Sequence, residues 1–127
     1  MALTHIYEDG GGVVLIGSGV LSGQEVIRVN SAMYATPELV KAIRYQICDF
    51  CAVEGLDIST DELRIMAGQD VRAAEINRGM LLAIAASRDL TFGTARVWHA
   101  YAENSHLRAQ VFRTVEECRA WVESSLR

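Results

Sequence analysis

The chain has 127 residues, a length that suits one domain, and half of them are hydrophobic, with a mean hydropathy of +0.14. Twelve basic against sixteen acidic residues leave a net charge of −4, which speaks against nucleic acid as a partner, because phosphate neutralisation dominates that affinity. The longest apolar run, Met80 to Ala86, falls far short of the roughly 20 residues of a membrane helix, and three cysteines without disulfide spacing fit a reducing compartment.

In chain order, Leu3 to Tyr7 and Val13 to Ile16 read as two strands around the turn Glu8 to Gly12. Asp-Gly and Gly-Gly supply the positive φ angles of a hairpin, so this pair is expected to be antiparallel. Gly17, Ser18 and Gly19 are expected to end the second strand. Ser22 followed by Glu25 has the form of a capping box, in which two unpaired donors of a helix start are satisfied reciprocally. A helix should therefore run from about Gly23 to Tyr34, with Val26, Val29 and Met33 on its apolar face. Thr36 and Pro37 break it.

Ile43 to Phe50 reads as the next strand, and Ala52 to Gly55 as a loop. Ser59 with Glu62 is a second box, opening a helix whose inward residues are Leu63, Met66 and Ala67, with Gly68 as a place to bend. Leu21 with Val26 and Ile58 with Leu63 fit hydrophobic staples at these two helix starts. Met80 to Ala86 is continuously apolar, as expected of a central strand covered on both faces. Thr91 to Glu103 should be a helix carrying Phe92, Ala95, Trp98 and Tyr101. A short strand, Ala109 to Phe112, precedes a third box at Thr114 and Glu117, which opens a terminal helix with Cys118, Trp121, Val122 and Leu126 as its stripe. The order is β-β-α-β-α-β-α-β-α, an α/β domain with an N-terminal hairpin and parallel strands joined by crossover helices.

No constellation of residues names a reaction. The glycines at 17, 19 and 23 imitate a dinucleotide fingerprint, but the third position of that motif falls on Ser22. Cys48 and Cys51 form a C-x-x-C. On a strand, positions three apart face opposite sides, so the two thiols converge only if the strand ends at Asp49. His5, His99, His106 and Cys118 lack metal-ligand spacing. Hence no catalytic residue, cofactor or metal is expected. The aromatic and apolar residues Met66, Phe92, Trp98 and Tyr101 read either as core or as the lining of a cavity for an apolar ligand.

The segment Arg44 to Met66, RYQICDFCAVEGLDISTDELRIM, resembles the STAS-like fold of bacterial anti-sigma-factor antagonists. There a strand leads through a loop to a D-S-S-G helix start whose second serine is phosphorylated. Asp57, Ile58, Ser59 and Thr60 lie on that motif, with Ser59 at the phosphoacceptor position; Ile58 replaces the first serine and Thr60 the glycine. The stretches LAIAASRDLTFGTARVWHAYAE and AQVFRTVEECRAWV are similar to the SpoIIAA-like group of that superfamily, matching at Phe92 to Arg96, at Phe112, and at Glu116, Glu117, Trp121 and Val122. The resemblance implies a single STAS/SpoIIAA-like domain over residues 1–127. It also implies a binding or regulatory role: a small hydrophobic, lipid-like ligand or a membrane surface, or a protein partner under control of a phosphate on Ser59. A second copy of the chain is among the partners to consider. The setting expected is cytoplasmic, at or away from the membrane.

Overall fold

The computed structural model describes residues 2–127. Strands β1 (Leu3–Glu8) and β2 (Gly12–Ser22) lead to α1 (Gly23–Met33) and the short α2 (Pro37–Lys41). Then come β3 (Tyr45–Asp57), α3 (Thr60–Ile76), β4 (Leu81–Ala85), α4 (Asp89–Ala102), β5 (Arg108–Phe112) and α5 (Val115–Leu126). The five strands form one sheet in the order β1-β2-β3-β4-β5. β1 pairs antiparallel with β2, and every later pair is parallel. This is the hairpin and parallel arrangement that the turn residues and the crossover lengths predict.

The sheet carries helices on both faces. Leu15, Cys48 and Ile84 meet Val26, Met66 and Trp98 under α1, α3 and α4. On the other face Ile47, Leu81, Ala83 and Ala85 meet Cys118 and Val122 of α5. All five residues of β4 are buried, which is why that strand reads as an unbroken apolar run rather than an alternation.

Four local expectations need correction. First, Gly17 to Gly19 do not end β2, and Ala52 to Gly55 are not a loop. Both strands run on together until Ser22 pairs with Asp57, past the end of β4, where Asp49 pairs with Ala85. Register shifts between Ile16 and Ser18 and between Gly19 and Val20 absorb the irregularity. Gly19 sits at φ +61°, a conformation that glycine adopts without a steric penalty. Leu21 and Val53 are buried at the far end, so prolonging the strands is rewarded by apolar burial.

Second, α3 runs unbroken through Gly68. A glycine in a helix costs about 1 kcal/mol relative to alanine, and burial of Leu63, Met66, Ala67, Ala73 and Ala74 on either side of it outweighs that. Third, Thr36 and Pro37 end one helix and also start another. Thr36 Oγ1 accepts from the Leu39 N–H at 3.2 Å, and a proline at the first helical position gives up a donor that has no partner there anyway. Fourth, the capping box at Ser22 is half formed. Its Oγ accepts from the Glu25 N–H at 3.2 Å, but the Glu25 carboxylate accepts instead from the Leu3 N–H of β1 at 3.1 Å. The boxes at Ser59 and Thr114 are complete.

Because β3 does not stop at Asp49, Cys48 and Cys51 lie on opposite faces of the sheet, one beneath α1, α3 and α4, the other beside α5. Burial pushes the Cys48 thiol well above its ordinary pKa. Among the described residues no helix is long and apolar enough to cross a membrane.

Candidate functional site

Two helices start side by side where β2 and β3 end. Ser22 caps α1, Ser59 caps α3, and the strands that deliver them finish in register. Ser59 is exposed. Its Oγ accepts from the Glu62 N–H at 3.1 Å, and its own N–H donates to Glu62 Oε1 at 2.9 Å. The Glu62 carboxylate is also packed against the first residue of α1. A Cβ on Gly23 would stand 2.5 Å from Glu62 Oε1, so only glycine leaves the carboxylate room between the two helix starts. The partial positive charge at both N-termini favours a carboxylate there. Asp57 and Asp61 are exposed nearby. Arg64 pairs with Asp61 at 3.6 Å, with both side chains mostly in water, a kind of pair that contributes little.

Behind Ser59, a cavity of about 70 Å³ lies between α3, α4 and the sheet, lined by Ile58, Leu63, Met66, Ala95, Trp98 and Phe50 among others. It is mostly apolar and has the volume of about two waters. Its polar corner is built around Asp70, which is 5% exposed, as is Trp98. Trp98 Nε1–H donates to Asp70 Oδ2 at 3.0 Å, and the Tyr34 hydroxyl donates to Asp70 Oδ1 at 2.7 Å. Gln46 Nε2 in turn donates to the Tyr34 oxygen. One carboxyl group therefore ties together α1, β3, α3 and α4.

Both of the Asp70 partners are donors, and their bonds favour its ionised form. Burial works against them and wins, pushing the carboxyl up to about 7. Burial, followed by the charge of Asp70, also raises the Tyr34 hydroxyl well above its usual range.

Met66 and Trp98 line the cavity; Phe92 and Tyr101 do not. Phe92 lies toward β5, with the Arg113 guanidinium 3.9 Å from its ring centre. Tyr101 is 38% exposed and carries Arg64 at 5.3 Å from its ring centre. The reason is helical phase. Steps of three residues from 92 to 101 each fall short of a full turn, so the ends of that series drift off the inward face. The inward stripe is Thr91, Ala95, Trp98 and Ala102, spaced four, three and four.

Asp70 is the residue that sequence reasoning missed, although it had a signal. Leu63, Ala67, Asp70 and Ala74 recur at the same four-three-four spacing on α3, and an acidic residue on such a stripe must find donors or lose its charge. Among the described residues no three His, Cys, Asp or Glu side chains come together as metal ligands.

No family model matches the chain, and no curated protein matches it. Solved structures do. The Bacillus cell fate determinant SpoIIAA in its phosphorylated form aligns over 95% of this chain and 99% of its own, with a TM-score of 0.58 and 16% identity. The anti-sigma factor antagonist SpoIIAA in its unphosphorylated form aligns over 97% of each chain, with a TM-score of 0.62 and 14% identity. The fold is that of SpoIIAA. At these identities the likeness to SpoIIAA is one of architecture: a mixed sheet with a leading hairpin, as the STAS-like resemblance predicts.

Proposed function

We propose that this chain is a regulatory protein-interaction domain whose binding surface is switched by a phosphate on Ser59. The observation that carries the reading is the exposed Oγ at the N-cap of the 17-residue α3, in a fold whose solved neighbours are described in phosphorylated and unphosphorylated forms. A phosphoryl group adds a charge of about −1.5 to −2. The helix N-terminus favours it, whereas Glu62 and Asp61 repel it. Glu62, bonded to the Ser59 N–H and wedged against Gly23, is the group that must leave. Phosphorylation then opens the capping box and replaces a closed, carboxylate-filled notch between α1 and α3 by a protruding dianion. A protein partner that covers both helix starts would distinguish the two states.

The test has two arms. Protein isolated from its native cells is digested, and the Ser59 peptide is assayed for phosphate; the partner captured with the wild type is then titrated against Ser59→Asp and Ser59→Ala. Expected are phosphate on Ser59 and a change in partner affinity of at least about tenfold, or 1.4 kcal/mol, for Ser59→Asp. Ser59→Ala should lower stability by about 1 kcal/mol through loss of the cap while staying folded. A peptide that is never modified, together with equal partner affinity for Ser59→Asp and wild type, would remove the switch.

A second reading rests on the cavity. An apolar or amphipathic guest, a lipid chain included, enters between α3 and α4 beside Met66 and Trp98, each buried methylene adding roughly 0.8 kcal/mol. Fatty acids titrated into Trp121→Phe should then change the Trp98 emission saturably. A flat response at every chain length would leave the protein-partner reading alone.

A further inference from the structure

We infer that the groove between α4 and the free edge of β5 binds an extended acidic segment of a protein partner, added to the sheet as a further strand. This surface is separate from Ser59 and stands or falls without it. β5 is the last strand of the sheet and, among the described residues, pairs only with β4, so one of its edges is open to a further strand. Alongside that edge runs a groove of about 260 Å³, lined by Phe92, Arg96 and His99 of α4 and by Gln110 and Val111 of β5.

The backbone of the edge is set for pairing. The Phe112 carbonyl accepts from the Ala86 N–H at 2.9 Å, on the β4 side. In a parallel strand the amide groups of alternate residues point to opposite edges, so those of Ala109 and Val111 face outward. His99 agrees with this assignment, since its Nε2–H donates to the Ala109 carbonyl at 2.9 Å. Among the described residues the N–H groups of Ala109 and Val111 and the Val111 carbonyl have no partner, and they remain for an incoming strand. An edge strand with such groups open is a template for pairing, and peptide recognition by strand addition uses it.

The charge around the groove selects the partner. Arg113 is bonded to Asp89 at 2.9 Å, and His99 Nδ1 stands 3.9 Å from Glu103. Asp89 is thus engaged by Arg113. Arg96 and Arg108 form no ion pair among the described residues. Arg96 stands inside the groove, and Arg108 opens β5. In a chain with a net charge of −4, this edge is a local excess of cations. A free small anion would gain little from one exposed guanidinium in water, whereas an acidic strand adds backbone hydrogen bonds to the ion pairs. A second copy of β5 is the poorer occupant. Residues 108–113 read Arg-Ala-Gln-Val-Phe-Arg, with no acid, and two-fold pairing would set Arg108 of one copy beside Arg113 of the other.

The probe is a blocked peptide of alternating Glu and Val, with alternating Lys and Val as its control, titrated into the whole chain under amide hydrogen exchange. The Glu-Val peptide should slow exchange at Ala109 and Val111 and bind more weakly as salt rises, and the Lys-Val peptide should do neither. Arg96→Glu, at an exposed position that leaves the fold intact, should weaken binding by about tenfold or more. The inference is overturned if the Glu-Val peptide leaves both amides unprotected, if Arg96→Glu binds it as the wild type does, or if the two peptides bind alike.

Discussion

Replacing Asp70 by Asn is expected to flatten the pH dependence of stability. The carboxyl releases its proton near 7 in the folded protein and near 3.8 when unfolded. Between those values the folded state holds a proton that the unfolded chain has already lost. The stability that this proton supports is complete below the unfolded pKa, declines as pH rises between the two values, and is fully lost once pH has passed the folded one. At about 1.4 kcal/mol per decade, the wild type should lose about 3 kcal/mol relative to Asp70→Asn between pH 5 and pH 8. The offset between the two proteins is a separate matter. An Asn oxygen can accept from Tyr34 or Trp98, while its NH2 group faces the other donor, a fixed penalty at all pH values. The slope of the difference is therefore the measure, read from urea midpoints of both proteins across the range. Parallel curves would mean that the two donor bonds, and not burial, decide the charge of Asp70.

That carboxyl matters for Ser59 because both sit on α3. The start of the helix carries the capping box, and its middle is fastened through Asp70 to Tyr34 and Trp98. Ionisation of Asp70 places a charge that burial disfavours, held by the Tyr34 and Trp98 donors, on the element that presents Ser59.

The parts of this architecture legible in the sequence are those fixed by local chemistry. A serine or threonine three residues before a glutamate located α3 and α5, the glycine turn located the hairpin, and the run at Met80 located the doubly covered β4. Ser59 was legible as an N-cap for the same reason. What was not legible depends on partners distant in the chain. Ala52 to Gly55 look like a loop until β2 is laid beside them, and Glu25 looks like half of a box until β1 offers the Leu3 N–H. Phe92 and Tyr101 seemed inward because steps of three approximate a helical turn over a short span only. Arg96, His99 and the β5 edge lie about ten residues apart in the chain, and only the packing of α4 on the sheet turns them into a groove.

Trp98→Ala should be the most damaging single truncation around the cavity, lowering stability by about 4 kcal/mol. Two losses combine in it. The ring is 5% exposed, so its removal merges a void the size of an indole with the existing space of about 70 Å³. The Nε1–H is one of two donors to Asp70, so the carboxylate also loses a bond of the charge-assisted kind. Added ligands separate the two. An apolar cavity that stays open binds ring compounds, and a ligand at a hundred times its Kd restores about 2.7 kcal/mol. Indole brings back both the volume and the donor, whereas benzene brings back the volume alone. Indole should therefore raise the urea midpoint of Trp98→Ala and leave that of the wild type unchanged. Its advantage over benzene should widen at pH values above 7, where Asp70 is ionised and the missing donor is most needed. Equal rescue by both at every pH would show that the bond to Asp70 contributes nothing measurable. Rescue by neither would mean that α3 and α4 close over the gap. Helices that collapse so readily do not hold an apolar guest between them, and the ligand reading of this cavity would go with them.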